Sequence, residues 1–508
     1  MVEPAADAEG LVRYGTPRAR WILLATVLGS GISFLDSTVV NVALPAIGRD
    51  LDAGLTGLQW TVDGYLLTLG SLILLGGSLG DLYGRRRLFL YGLVFFTVAS
   101  ALCTIAPSIE VLILARVLQG AGGAMLVPGS LAMISASFDP RDRGKAVGAW
   151  SGLAGVTTAI GPFLGGYMVD AISWRLVFLI NLPLAAVVAI VTIRHVPETR
   201  DVDAHRPDIP GAMTAALGLA GVIYALIEAP SGGMSRPAVW ISGVAGVALL
   251  SAFFVIEARR KEPMLPLSLF RSAQFSGANG TTLAVYFALS GAMFFLVIDL
   301  QRVLGYSALE SGAALVPVTI IMLLLSSKAG ALAGRVGARL PMTFGPMVVA
   351  VGLALLARVQ PGSTYFVDVL PAAVIFGLGL SLTVAPLTSA VLDAVETRHA
   401  GIGSGVNNAV ARIAGLLAIA TLPLIVGVSG DEVSDAAFSD GFRASMLVCA
   451  GLCVLGGLIA FGTIGRAHPL RALEARLHYR PRGIDHPPCA APDDASTAGP
   501  VEDAPARA

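Results

Sequence analysis

Apolar runs of about 20 residues follow one another along the chain, separated by short connections that hold nearly all of its charge. A helix needs a run of roughly this length to cross a bilayer core about 30 Å thick. Fourteen such runs are read at 21–44, 56–76, 88–106, 110–134, 146–169, 175–193, 210–228, 238–257, 276–299, 310–332, 340–357, 366–390, 403–426 and 442–464. The pattern predicts an all-α integral membrane protein with 14 transmembrane helices.

Composition agrees with a lipid solvent, since 55% of the 508 residues are hydrophobic and only 13% are charged. The first run is too long for a signal peptide, follows a mixed polar leader and lacks a small-residue cleavage site, so it is expected to remain in the protein. Most of the 34 Lys and Arg residues fall in the N-terminus, the C-terminal tail and the loops after even-numbered spans. That asymmetry places both termini in the cytoplasm of a cell-membrane protein and makes the basic residues membrane-side anchors rather than a nucleic-acid patch. Cys103, Cys449 and Cys453 lie in spans and Cys489 in the tail, without metal-ligand spacing. All six His lie in loops or tails, and no GxxxxGK[ST] occurs, so neither a buried histidine site nor a P-loop pump is predicted. No cofactor and no metal are expected, and the chain is not read as an enzyme.

The chain also repeats. GSLGDLYGRRRLF (77–89) has a faded echo in GALAGRVGARLPM (330–342), Pro128 matches Pro386, and Gly144 and Gly148 match Gly401 and Gly405. Six spans occupy too few residues to account for the offset, so spans 7 and 8 are read as an insertion. The resulting plan is an N-terminus (1–20), a six-helix bundle (21–193), a two-helix insert (210–257) peripheral to transport, a second six-helix bundle (276–464) and a disordered cytoplasmic tail (465–508). Two repeated bundles with a site between them describe a secondary transporter.

LDSTVVNVALP in span 1, GSLGDLYGRRR after span 2, LARVLQGAGGA in span 4 and GPFLGG in span 5 resemble the signature motifs of the major facilitator superfamily, and more narrowly its fourteen-span drug:proton antiporter branch. The resemblance implies a major facilitator fold and proton-driven export of small amphiphilic compounds: drugs, antibiotics, cationic amphiphiles or the cell's own metabolites. It also implies an inner gate at Gly77, Asp81, Gly84 and Arg85, in which Asp81 and Arg85 grip the opposite bundle. The alternative reading of Arg86 and Arg87 is as topological anchors at the headgroups. The second copy has Gly334 where Asp81 stands, so such a latch is one-sided. Gly161, Pro162, Gly165 and Gly166 form the antiporter motif, where glycine allows either a bend or close helix packing. Span 13 has Ala418 and Ile419 in the matching region.

Charges inside spans carry the chemistry, because an ionised carboxylate at the bilayer centre costs roughly 2.5 to 3.5 kcal/mol on insertion scales. Asp36 interrupts an otherwise uncharged run from Trp21 to Leu44. Asp36, Asp63 and Arg116 lie at similar depths, roughly 9 to 12 Å below the outer edge at 1.5 Å per residue. The resemblance places spans 1 and 4 on a central cavity, which makes Arg116 the partner of Asp36. Burial and a neighbouring Arg act on a carboxyl in opposite senses. Asp36 is therefore read as the main coupling carboxylate, at which an external proton displaces Arg116 and a cationic substrate displaces the proton. The rival reading of Asp36 is a static ion pair. Asp63 is either a second coupling acid or a water-facing group.

Asn41, Gln119, Asn407, Asn408, Arg412, Phe34 and Tyr65 are expected to line the substrate cavity, with Trp60, Tyr286, Phe294 and Phe295 as further aromatic candidates. Asp299 and Gln301 sit either on a solvated rim or facing substrate. GIGSG (401–405) imitates a dinucleotide loop but opens a span, which favours helix packing. The partners expected are a small-molecule substrate, protons and membrane lipids, with no nucleic acid, for a monomer. The competing functions are an importer or facilitator on the same fold and a membrane sensor without transport.

Overall fold

The structure is a computed structural model that describes residues 11–201, 207–230, 235–260, 263–395, 400–428 and 433–465. Among them are 14 helices long and apolar enough to cross a membrane. These are α1 (Pro17–Asp50), α2 (Leu55–Tyr83), α3 (Arg85–Thr104), α4 (Ile109–Ser137), α5 (Pro140–Ala171), α6 (Leu176–His195), α7 (Ile209–Glu228) and α8 (Pro237–Arg259). The series continues with α9 (Ala273–Arg302), α10 (Ala308–Val336), α11 (Arg339–Leu356), α12 (Tyr365–Asp393), α13 (Ile402–Val426) and α14 (Asp435–Thr463). Each predicted run falls on one of these helices, and no β-strand occurs among the described residues. The predicted tail lies outside the described residues from position 466 onward, as do residues 1–10 of the N-terminus.

Helix ends follow local chemistry. The Thr16 hydroxyl accepts from the Ala19 amide ahead of Pro17 at the start of α1, and Ser307 with Glu310 forms a capping box at the start of α10. α10 is interrupted at Leu315, immediately before Val316-Pro317, where proline lacks the amide that would continue the ladder. α12 opens with a π-helical turn over Tyr365–Val369 ahead of Pro371.

The helices pack twice in the same pattern. α2 packs on α4, α3 on α4, α1 on α5 and α6, and α3 on α6. Eight helices later, α10 packs on α12, α11 on α12, α9 on α13 and α14, and α11 on α14. The two sets meet where α2 crosses α13 and where α5 crosses α10, and the same eight-helix shift exchanges these two crossings. α8 packs on α7, and α7 lies against both α2 and α13. The insert therefore spans a junction between the sets, where the Trp60 indole donates to Glu228 at 3.2 Å.

Fourteen crossings return the chain to the side on which it starts, here called the terminal face; the opposite side is the distal face. At the distal face α5 and α10 are sealed backbone to backbone. A Cβ on Gly166 would meet the Ala308 carbonyl oxygen at 2.4 Å, and one on Gly312 would meet that of Pro162 at 2.1 Å. Asp170 adds an electrostatic tie, accepting from the Ala308 and Leu309 amides at 3.1 and 2.8 Å, so a carboxylate meets the positive end of α10. Toward the terminal face, Gly144, Gly148, Gly152 and Gly155 of the same helix face open space. α5 runs unbroken through Pro162, and the glycines of the antiporter motif are close-packed.

This contact predicts that Gly312→Val loosens the distal seal. Overpacking costs about 1–3 kcal/mol, a shift of roughly 5- to 150-fold between conformations. Distances between spin labels on the distal ends of α5 and α10 should lengthen in the variant, while a label pair at the terminal face closes.

Candidate functional site

Asp36 and Arg116 meet inside the first set of helices. The Arg116 guanidinium donates to Asp36 and forms a salt bridge with it, and the two residues are 1% and 0% exposed. The other Asp36 carboxylate oxygen accepts from Gln119 Nε2 at 2.8 Å and Asn181 Nδ2 at 3.0 Å. Arg116 also donates through Nε to the Thr61 carbonyl at 3.0 Å and through a terminal nitrogen to Gln119 Oε1 at 2.6 Å. Its guanidinium carbon stands 4.3 Å from the centre of the Tyr65 ring, and the Tyr65 hydroxyl is 2.5 Å from that of Ser33. Ser100 on α3 accepts from Gln119 at 2.8 Å and from Asn181 at 3.3 Å. One carboxylate thus ties together α1, α2, α3, α4 and α6, and its charge is met by a cation and two amide donors.

The depth match of Asp36 and Arg116 is realised, but their exposure differs from expectation. Both are closed off within the set, among residues of α1, α2, α4 and α6. Gln119 and Tyr65, expected to line that cavity, are fully buried in the same network. Phe294 and Phe295 pack edge to face at 5.6 Å in the core, so they form no cavity wall. Asp63 is 0% exposed rather than water-facing, and both of its carboxylate oxygens lack a hydrogen-bond partner. Asp299 is 1% exposed, which removes it from a solvated rim, and Gln301 donates to the Val42 carbonyl of α1 at 2.9 Å.

Five expected cavity residues remain half-buried: Phe34, Asn41, Asn407, Asn408 and Arg412. Asn407 donates to Asn279 and Thr282 of α9 at 3.2 and 2.7 Å, Asn408 to the Ser404 carbonyl at 3.2 Å, and Asn41 to the Ser37 carbonyl at 3.3 Å. Arg412 reaches over the Phe34 ring at 5.5 Å.

The gate motif holds a loop of its own half. Arg85 pairs with Asp81 at 2.8 Å, the Arg85 amide donates to the Thr199 carbonyl at 2.9 Å, and the Asp201 amide donates to the Asp81 carbonyl at 3.0 Å. Glu198 accepts from the Arg86 and Arg87 amides at 3.0 and 3.1 Å, capping α3. Gly84 has φ +109°, and a Cβ there would meet Glu198 Oε1 at 2.7 Å, so glycine is required at this turn. Gly77 lies against Pro128, with its nearest side-chain atom 3.7 Å from a built Cβ. Asn181, Ser100, Glu198 and Asp170 were not anticipated. The first has a local signal, an amide inside an apolar run; the last two act on partners more than 100 residues away.

The major facilitator superfamily model matches residues 26–419. The chain belongs to the major facilitator superfamily. It is 36% identical over 405 residues to the multidrug resistance protein Stp of Mycobacterium tuberculosis, covering 79% of this chain and 74% of that one. It is 33% identical over 459 residues to the methylenomycin A resistance protein of Streptomyces coelicolor, covering 89% and 94%. Its fold matches a bacterial homologue of the human lysosomal transporter Spinster, solved inward-facing and unoccupied, with TM-score 0.60 and 16% identity over 88% of this chain and 97% of that one.

Removing one partner of a buried pair leaves an unmet charge, at a cost of about 3–5 kcal/mol. Arg116→Leu should therefore lower the melting temperature in detergent more than the double variant Asp36→Leu with Arg116→Leu. Equal or additive losses would contradict an ion pair at this site.

Proposed function

We propose that this superfamily member is a proton-coupled exporter of small amphiphilic compounds. It sits in the cell membrane with both termini cytoplasmic and works by alternating access of an N-terminal bundle (21–193) and a C-terminal bundle (276–464) joined by the insert (210–257). The observation that carries this reading is the ion pair between Asp36 and Arg116, held inside membrane-spanning helices by Gln119 and Asn181. A static pair would be a costly way to join helices, since well-packed apolar residues serve as well or better. The names of the relatives, which concern drug and antibiotic resistance, support the outward direction.

Coupling runs through helix contacts rather than by competition at the carboxylate, because Asp36 is closed to any substrate in this conformation. When a proton neutralises Asp36, Arg116 loses its counter-charge and its hold on the α1–α4 contact. Thr38 and Val39, within a turn of Asp36, are the residues against which Gly161 and Gly165 of α5 pack. α5 in turn carries the distal seal through Gly166 and Asp170. Protonation from the distal, extracellular side thus reaches the seal through one turn of α1. Asp63, buried without a partner at the α2 level of the pair, is the second acid on this route. Asp81 and Arg85 act as the inner gate in the opposite conformation, releasing the loop at Thr199 and Asp201 when the terminal face closes.

The test is transport in oriented vesicles with an imposed proton gradient. Asp36→Asn should abolish gradient-driven export and substrate-induced proton release, and Asp36→Glu should retain part of both. Uptake along the substrate gradient in right-side-out vesicles, insensitive to protons, would favour the importer or facilitator. A C-terminal reporter that reads as extracellular would overturn the orientation.

A further inference from the structure

The charges set well inside the spans divide unequally between hidden and accessible. The three carboxylates Asp36, Asp63 and Asp299 are all 0–1% exposed, and Asp36 is neutralised by Arg116. The two remaining cations, Lys328 on α10 and Arg412 on α13, have no ion pair or hydrogen bond from their side chains among the described residues. Arg412 is the central one. Its stem lies against Gly70 of α2, where a Cβ would meet the Arg412 Cβ at 3.2 Å, and its guanidinium extends over the Phe34 ring of α1 at 5.5 Å. Arg412 therefore lies where α13 of one half meets α1 and α2 of the other, and it is only half-buried.

An arginine at mid-membrane depth is tolerated when it faces the protein interior or water and finds a partner. Among the described residues the guanidinium has an aromatic face, the Phe34 ring, and no carboxylate paired with it. Asn408, one turn before Arg412, spends one amide hydrogen on its own helix. The missing partner is an acid group. We propose that Arg412 is the recognition residue for the acidic group of an anionic amphiphile, a flat aromatic body bearing a carboxylate or ionised phenol, and that the pump selects anions over cations. This rests on the export reading and reverses the expectation of cationic cargo, because the carboxylates set well inside the described spans, Asp36, Asp63 and Asp299, are all buried. Arginine suits the role through its planar fork of donors, which matches a carboxylate, and through its ability to stack on the ring beneath it.

Fluorescein and rhodamine 6G share a xanthene ring and differ in charge, so they separate the alternatives. Binding of each to the purified full chain in neutral detergent is followed by fluorescence anisotropy. Fluorescein should bind at least tenfold more tightly than rhodamine 6G. Arg412→Gln should lose that preference, and Arg412→Lys should keep most of it, which distinguishes lost charge from lost fold. Tighter binding of rhodamine 6G, no binding of fluorescein, or equal fluorescein binding in Arg412→Gln each overturns the proposal. Added phosphatidylglycerol identifies the occupant: displacement of fluorescein by the lipid at stoichiometric amounts would assign the site to an anionic headgroup and overturn a soluble cargo. Flux is scored separately in vesicles. Fluorescein that binds through Arg412 but is not exported would sink the export reading alone, whereas proton-driven export of rhodamine 6G without fluorescein would sink the anion preference alone.

Discussion

A carboxylate placed in a low-dielectric interior must be met by a cation and by hydrogen-bond donors, or carry a proton. In this protein that requirement organises a whole bundle. Asp36 is met by Arg116, Gln119 and Asn181, which draw in α3, α4 and α6, while Arg116 reaches α2 through the Thr61 carbonyl and the Tyr65 ring. A change in the charge of one side chain is therefore felt across the half, and the same low dielectric that makes the pair expensive makes its disruption consequential.

The second organising constraint is close backbone approach at the distal face. Glycines at 166 and 312 let α5 and α10 meet without intervening side chains, and Asp170 fixes their register by capping α10. Contacts of this kind are well suited to alternate between two states, because packed interfaces are bistable rather than continuously deformable. Built Cβ atoms on the glycines of α5 closer to the terminal face would meet open space, and that half of the helix is held to α1 by the Trp150 indole donating to Ser30 at 2.9 Å. On the proposed reading, cargo and proton act on separate parts of the protein: Arg412 is half-buried where the two halves meet, and Asp36 is fully buried within the first set of helices.

The 14 spans were legible because lipid imposes a length and a composition that no soluble helix must satisfy. The partnership of Asp36 with Arg116 was legible from depth together with the resemblance that sets spans 1 and 4 side by side, since two opposite charges in one membrane layer have few other ways to be accommodated. What depth does not reveal is the direction in which a side chain points. Gln119 and Tyr65 share the layer but turn toward α3 and α1, and that orientation depends on how α3 and α6 close over α1, which no local pattern encodes. Asn181 carried a signal, a lone amide in an apolar run, that was not weighed. Glu198 and Asp170 gave none, because each is a surface acid whose role comes from a helix end distant in sequence. The gate motif was recognisable, but in this conformation its residues hold the loop after α6 rather than the opposite bundle.

On the proposed mechanism Asp36 changes protonation as the protein works, and a vibrational measurement detects this without assuming a substrate. Infrared difference spectra of the reconstituted protein across an acid jump should show the carbonyl stretch of a newly protonated carboxyl in the wild type, and the band should be missing in Asp36→Asn. The same band at full strength in Asp36→Asn, or no carboxyl band in the wild type, would contradict the account and leave the buried pair a structural joint.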